Sequence, residues 1–273
     1  MRHWNKELRF NRLFDNCGKT VMVAMDHGQG GVKPGLAHPE KLLQTIVDAN
    51  PDAILLGSGM ARLFSWMFGG KNKPSLVISS DFIISGGIPQ REGDVEHVEQ
   101  SISVEECVRL GADGIKALLV FGKRNMDLHT DNMRYITQLA EECDRWNLPL
   151  IVEPTTWGAE FTAEDRKNVA LYADMARICA EMGADLVKCD FMGTAEEFQQ
   201  VVDNCPVPIA ILGGGKAKAT QLADTIEEAA KCGTKGVVFG RNVWQSPDPA
   251  KMVKALKAIT YTGDRETFLS LCD

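Results

Sequence analysis

No apolar run in this chain is longer than about five residues, Ala117 to Phe121 being one of the longest, whereas a membrane-crossing helix needs roughly twenty. No span, and no membrane partner, is expected. Positive charge is also in short supply: thirty Lys and Arg face thirty-seven Asp and Glu, for a net charge of −7. Nucleic-acid binders usually carry a basic face that offsets phosphate repulsion, so nucleic acid is not an expected partner and any anionic ligand must be held by a local site. The eight cysteines form no CxxC pair and no close Cys/His cluster, and the five histidines lack an HxxxH spacing. A zinc site is therefore not expected. The opening MRHWNKELRF has no apolar signal-peptide core, which reads as a cytoplasmic chain whose thiols stay reduced and serve mostly as small buried hydrophobes. At 273 residues a core forms without metal or disulfide staples.

What the chain does have is a repeating unit. Short aliphatic or β-branched runs occur at TVMVAM (20–25), AILL (53–56), SLVIS (75–79), GIKALLVF (114–121), PLIVE (149–153), DLVKC (185–189), PIAIL (208–212) and KGVVF (235–239). Between them lie helical patterns. The clearest, Asp127 to Arg145, places Ile136, Leu139, Ala140 and Cys143 on one stripe, and Asn168 to Met182 repeats it. RLGADGI, AEMGADLV and KCGTKGV read as a helix end, a glycine cap and a buried strand. Eight such units without a long linker predict a single (β/α)8 TIM barrel over 1–273, with a helical segment at about 1–18 and a tail at about 260–273. Ser80 to Ser101 is the one long irregular connection, a length that favours function.

Barrel chemistry collects at the C-terminal ends of the strands, and polar residues and glycines gather there. Asp26, His27 and Gly28 follow the first run, Asp81 the third and Glu153 ends the fifth; the sixth carries Lys188 with Asp190, the seventh ends in Gly213 to Lys216, and the eighth in Gly240, Arg241 and Asn242. Lys188 lies in an apolar strand, where burial or a nearby cation favours the neutral amine that attacks carbonyls; a structural bridge to Asp190 or Asp26 fits the same position. Lys116 is the competing lysine. It falls earlier in its strand, nearer the middle of the barrel, which suits a second cation or an ion pair. Asp26 suits proton shuttling or turn capping, His27 a hydrogen-bonded scaffold role, and Glu153 and Asp81 accessory or capping roles. Gly214, Gly215 and Lys216, followed one strand later by Gly240 and Arg241, match the phosphate site that barrels build after their last two strands. Trp66, Trp157 and Trp244 read as packing or subunit-contact residues.

Taken together, AMDHG after the first run, the lysine of the sixth, GGGK after the seventh and GRNVWQSPDP after the eighth resemble the DhnA-type class I aldolases. That family includes archaeal-type class I fructose-bisphosphate aldolases, an aldolase-like enzyme of aromatic amino-acid biosynthesis and a thiolase acting on phosphorylated autoinducer-2. The last is similar in GKTVMVAMDHG, AEMGADLVK and NCPVPIAILGGGK. The resemblance runs from about Leu8 to Leu256. It implies a Schiff base at Lys188, proton transfer by Asp26, a small phosphorylated substrate on the Gly214–Lys216 and Gly240–Arg241 turns, no cofactor, and a homo-oligomeric ring, commonly a decamer. Two departures stand out. The family's YPRG segment, whose tyrosine donates a proton, is EPTTWG here, leaving Glu153, a threonine hydroxyl or water for that role; the tyrosines after the family lysine are Asp190 and Phe191. The expected activity is a Schiff-base lyase acting on a phosphorylated ketose or dicarbonyl. The alternatives are thiolase-like acyl transfer with coenzyme A as co-substrate, and a non-catalytic phosphosugar-binding barrel.

Overall fold

The computed structural model describes residues 4–85, 88–89 and 95–272. The eight apolar runs become β1 (Thr20–Ala24), β2 (Ala53–Gly57), β3 (Ser75–Ser79), β7 (Gly114–Val120), β8 (Leu150–Thr155), β9 (Leu186–Cys189), β10 (Ile209–Leu212) and β11 (Gly236–Phe239); β4 (Asp81–Ser85), β5 (Ile88–Pro89) and β6 (His97–Gln100) lie outside the barrel. The eight close in the order β1-β11-β10-β9-β8-β7-β3-β2, all parallel. Both faces of each strand are covered, so the runs are apolar throughout rather than alternating. Val21, Val23, Ile54, Leu56, Ile78 and Val152 point out under the helices. Met22, Ala24, Leu55, Val77, Ile151, Leu186, Ala210 and Val238 point in.

The outer helices are α1 (Trp4–Asn11), α2 (Pro39–Ala49), α3 (Ser58–Phe64), α4 (Val104–Arg109), α5 (Met126–Trp146), α6 (Val169–Glu181), α7 (Ala195–Asn204), α8 (Ala219–Lys231), α9 (Arg241–Trp244), α10 (Pro249–Thr262) and α11 (Arg265–Cys272). None among the described residues is long and apolar enough to cross a membrane. Phe10, Leu13 and Phe14, in and just after α1, close the bottom of the barrel against the inward layer. Aspartates just before three strands hold the same end. Asp52 accepts from Val21 N at 2.6 Å and Asp185 from Leu150 N at 2.8 Å, and Asp113 stands 2.8 Å from Arg12. Each side chain serves a backbone N–H that the next strand begins too late to reach.

Two expectations change. Ser80 to Ser101 is not irregular throughout: β4 pairs antiparallel with β5 and β6 in a small sheet beside the barrel, while 86–87 and 90–94 fall outside the described residues. As β3 turns away into this sheet, its ladder with β7 ends at Ser79↔Lys116. Side chains serve the exposed edge of β7 instead: Asp81 Oδ2 accepts from Leu118 N at 2.6 Å and Asn132 Oδ1 from Val120 N at 2.9 Å. The stretch expected as a tail is helical, with α11 burying Phe268 completely. Six of the eight cysteines are buried and all are free.

Candidate active site

A cavity of about 490 Å³ opens at the C-terminal ends of the strands. Its floor is set by strand register. Lys116 stands opposite Ile151, and Ile151 opposite Leu186, so Glu153 and Lys188, each two residues further on, share one level and Lys116 lies a layer below them. Glu153 Oε2 accepts from Lys188 Nζ at 2.8 Å and lies 2.9 Å from Lys116 Nζ. All three side chains are more than nine-tenths buried. Asp26, in the 3-10 turn Asp26–Gly30 that follows β1, completes the group, with Oδ2 3.7 Å from Lys116 Nζ and Oδ1 3.3 Å from His27 Nδ1.

The charges organise one another. Burial would push the Asp26 carboxyl up, but His27, Lys116 and Lys188 outweigh it and hold Asp26 well below the ordinary carboxylate range. Glu153 is lowered in the same way: burial opposes, and the two ammonium groups prevail. Lys116 is raised despite burial, because Glu153, Asp26 and Asp81 surround it, so it stays a fixed cation. Thr155 follows Glu153 on the same face of β8; its hydroxyl is buried without a partner among the described residues.

Asp81 departs in the other direction. Fully buried, it is pushed up to about 6 by burial, against the pull of Lys116 and the Leu118 N–H. Its Oδ1 has no hydrogen-bond partner among the described residues. A group raised above its unfolded value of ~3.9 binds its proton more tightly in the folded chain, so its contribution to stability declines as pH rises from about 4 to about 6. Asp81→Asn keeps an oxygen for Leu118 N–H and removes the charge. It is expected to stabilise the chain by on the order of 2 kcal/mol at pH 7.5 and by little at pH 4. Thermal melts at the two pH values test this, and an equal change in Tm at both counts against it.

The turns after β10 and β11 form one side of the cavity. Gly214 takes φ +55°, and at Gly240 a Cβ would stand 2.7 Å from Ala24 O, so both turns need glycine. Asn242 ties them together: its Nδ2 donates to Gly213 O at 2.8 Å and Gly215 O at 3.2 Å, and its Oδ1 accepts from Ala217 N at 2.9 Å. Gly214, Gly240 and Arg241 line the cavity. Gly215 and Lys216 are exposed beside it without lining it, Lys216 Nζ donating to Gln245 O at 2.8 Å.

Other expectations are redrawn. Lys188 pairs with Glu153; Asp190 is outside the lining of the cavity, and its charge acts on Tyr172 of α6. Trp157 and Trp244 are cavity walls. Trp244 donates from Nε1 to Ala24 O at 3.0 Å and meets the His27 ring edge-on at 5.5 Å. Lys33 and Gln245 also line the cavity and were not foreseen. Gln245 Nε2 donates to Pro34 O at 3.0 Å, which docks the β1 loop on the β11 turn; the turn-forming KPG was the available signal. No group of three or more His, Cys, Asp or Glu among the described residues is placed to hold a metal ion.

A family model described as DeoC/LacD family aldolase matches residues 20–246. The chain is 30% identical, over 93% of its length and 94% of the relative's, to an uncharacterised aldolase of Saccharolobus solfataricus. It is also 30% identical to the 3-hydroxy-5-phosphonooxypentane-2,4-dione thiolase of Klebsiella pneumoniae, over 94% of this chain and 82% of that one. Among solved structures it is similar to an archaeal fructose-1,6-bisphosphate aldolase whose catalytic lysine is covalently bound to the carbinolamine intermediate. The TM-score is 0.79 at 26% identity, over 94% of this chain and 99% of that one.

Proposed function

The chain belongs to the DeoC/LacD family of aldolases, enzymes among whose relatives are Schiff-base class I lyases, and from that premise we propose that Lys188 is its nucleophile toward a phosphorylated ketose or dicarbonyl. The observation that carries this reading is the unequal treatment of two lysines on one carboxylate oxygen. Both line the cavity, Lys116 from a layer deeper, where Glu153, Asp26 and Asp81 hold it as a cation, and Lys188 from the level of Glu153, nearer the mouth.

The chemistry follows from those positions. The Lys188 ammonium passes its proton to Glu153 across their 2.8 Å contact, and the free amine adds to the ketone carbon. Glu153 returns its proton to the carbinolamine hydroxyl, and loss of water gives an iminium, an electron sink. Asp26, held ionised, takes the proton of the hydroxyl on the carbon beyond the bond to be cleaved. The C–C electron pair moves to the iminium, an aldehyde leaves, and the enamine left behind is protonated on carbon by the proton that Asp26 took up. Water then releases the ketone and restores the lysine.

Borohydride reduction in the presence of phosphorylated ketoses, followed by peptide mass mapping, tests the assignment. The expected adduct is on Lys188. An adduct on Lys116, or none with a ketose phosphate that binds, refutes the assignment. The Klebsiella relative's name supports a second reading, acyl transfer to coenzyme A; aldehyde release without coenzyme A separates the two.

Arg241, with the Gly214 and Gly240 backbone, is assigned to the substrate phosphate, and Lys216 lies beside that site. Arg241→Met is expected to raise KM by roughly 10- to 100-fold with little change in kcat, as removal of uniform binding does. Initial rates across substrate concentrations read the split, and a fall in kcat at unchanged KM contradicts it. The homo-oligomeric ring implied by resemblance is measured by light scattering.

A further inference from the structure

We infer that Lys33 is a second cation for the substrate phosphate, carried to it by the turn 33–36 of the loop after β1, and that Gln245 is the positioning residue that holds this turn beside Arg241. The inference rests on the Schiff-base reading above, which supplies the phosphorylated substrate, and adds a residue and a loop to the site that binds it.

The sequence builds the turn. In Lys33-Pro34-Gly35-Leu36, Leu36 N donates to Lys33 O at 3.0 Å and Gly35 takes φ +89°, the pattern of a type II turn with proline second and glycine third. Gly35 is needed for its contacts as well, since a Cβ there would stand 2.8 Å from Trp244 O and 3.0 Å from Gln245 Cγ. The turn is thus seated on the segment that follows Arg241, as the adjacency of β1 and β11 in the barrel allows. Gln245 fastens it, with Nε2 donating to Pro34 O at 3.0 Å. Gln245 is held in turn by its own N–H, which donates to Arg241 O at 3.1 Å, and by Lys216, whose Nζ donates to Gln245 O at 2.8 Å.

Lys33 is the residue of this loop tip that turns inward. Val32, Pro34 and Gly35 are exposed, whereas Lys33 is half-buried and lines the cavity together with Gly214, Gly240 and Arg241. The acids of the floor are served by other cations: Glu153 by Lys116 and Lys188, and Asp26 by Lys116 and His27. A phosphate has oxygens enough to accept from Lys33 and Arg241 at once, each bond being charge-assisted. Lysine suits its place as a point charge on a flexible stem, and Arg241 adds a planar fork. Lys216, which GGGK offers as the phosphate ligand, has its ammonium on the Gln245 carbonyl and outside the lining, so its part is to brace Gln245. The phosphate site drawn this way joins the loops after β10, β11 and β1.

The test uses inorganic phosphate as a competitive inhibitor of the full-length enzyme, with borohydride trapping at Lys188 run in parallel. Lys33→Met is expected to raise the phosphate Ki and the substrate KM together by about tenfold, the loss of one charge-assisted hydrogen bond, with kcat within about threefold of the wild type. Lys33→Arg should recover most of both. Gln245→Met keeps the side-chain length without the donor and is expected to raise Ki by roughly threefold or more. Because Gln245 acts through Lys33, the double variant should rise by less than the product of the two single effects. A merely structural Gln245 would lower Tm and leave Ki where it was. Trapping at Lys188 combined with an unchanged Ki in Lys33→Met, or with a wild type that phosphate does not inhibit, overturns the inference and leaves the Schiff-base reading intact. A double variant that reaches the full product overturns the positioning role of Gln245. Failure of every phosphorylated ketose to trap overturns the reading beneath the inference, and the inference with it.

Discussion

Lys188→Met is expected to lower kcat by at least about 10⁴-fold and to abolish borohydride trapping, because a methionine of similar length offers no lone pair to form the iminium. The variant is well suited to the question because the surroundings tolerate it. Glu153 keeps Lys116 at 2.9 Å, so no carboxylate is left uncompensated, and the inward-facing Leu186 and Ala210 beside position 188 accept a thioether. Circular dichroism and thermal melting should therefore resemble those of the wild type. The control is Lys116→Met, which takes the deeper cation from Glu153, Asp26 and Asp81 and is expected to destabilise the chain while leaving residual trapping at Lys188. If Lys188→Met keeps a tenth of the wild-type rate, a covalent lysine intermediate is not on the path.

The barrel and the level of its chemistry were legible because each rests on a local pattern. An aliphatic run covered on both faces, followed by a polar rim, reads as a parallel strand, and Lys116 and Lys188 can be placed at different depths by counting along their own strands. The pairing of Glu153 with both lysines was not legible. It depends on the register among β7, β8 and β9, and nothing in PLIVE or DLVKC records which residues of separate strands stand at one level. Asp190 lies just past β9, where the chain has left the strand and the two-residue alternation no longer says where a side chain points. Asp81 carried no signal of its role, since its carboxylate completes a ladder that exists only because β3 turns away into the β4–β6 sheet. Trp157 was read as packing because an isolated tryptophan in a loop has no periodicity to align it. Its place on the wall is set by the docking of Val95 on its carbonyl.

Glu153→Gln is expected to cost about 3–5 kcal/mol of stability at pH 7, the range found when one partner of a buried ion pair is removed, and to lower kcat by two or more orders of magnitude. The stability loss comes from Lys116 and Lys188, whose shared oxygen becomes part of a neutral amide, with Asp26 at 3.7 Å from Lys116 as the remaining partner. The catalytic loss comes from removing the acceptor of the Lys188 proton. The sign of the pH dependence is set by Glu153 itself, held below its ordinary value by the two ammonium groups against the opposing effect of burial. Such a group contributes stability that is complete above its unfolded value of ~4.3 and is lost as pH falls through its lower folded value. The gap between wild type and variant should therefore be full at neutral pH and close on acidification below about pH 4. Adding Lys116→Met to Glu153→Gln removes the stranded cation along with the missing anion, and should recover part of the stability but none of the rate. Urea unfolding of the four proteins of this cycle at pH 7 gives the coupling energy directly. Additive losses would mean that Lys116 and Glu153 do not stabilise one another, and that the floor of the cavity is held by packing alone.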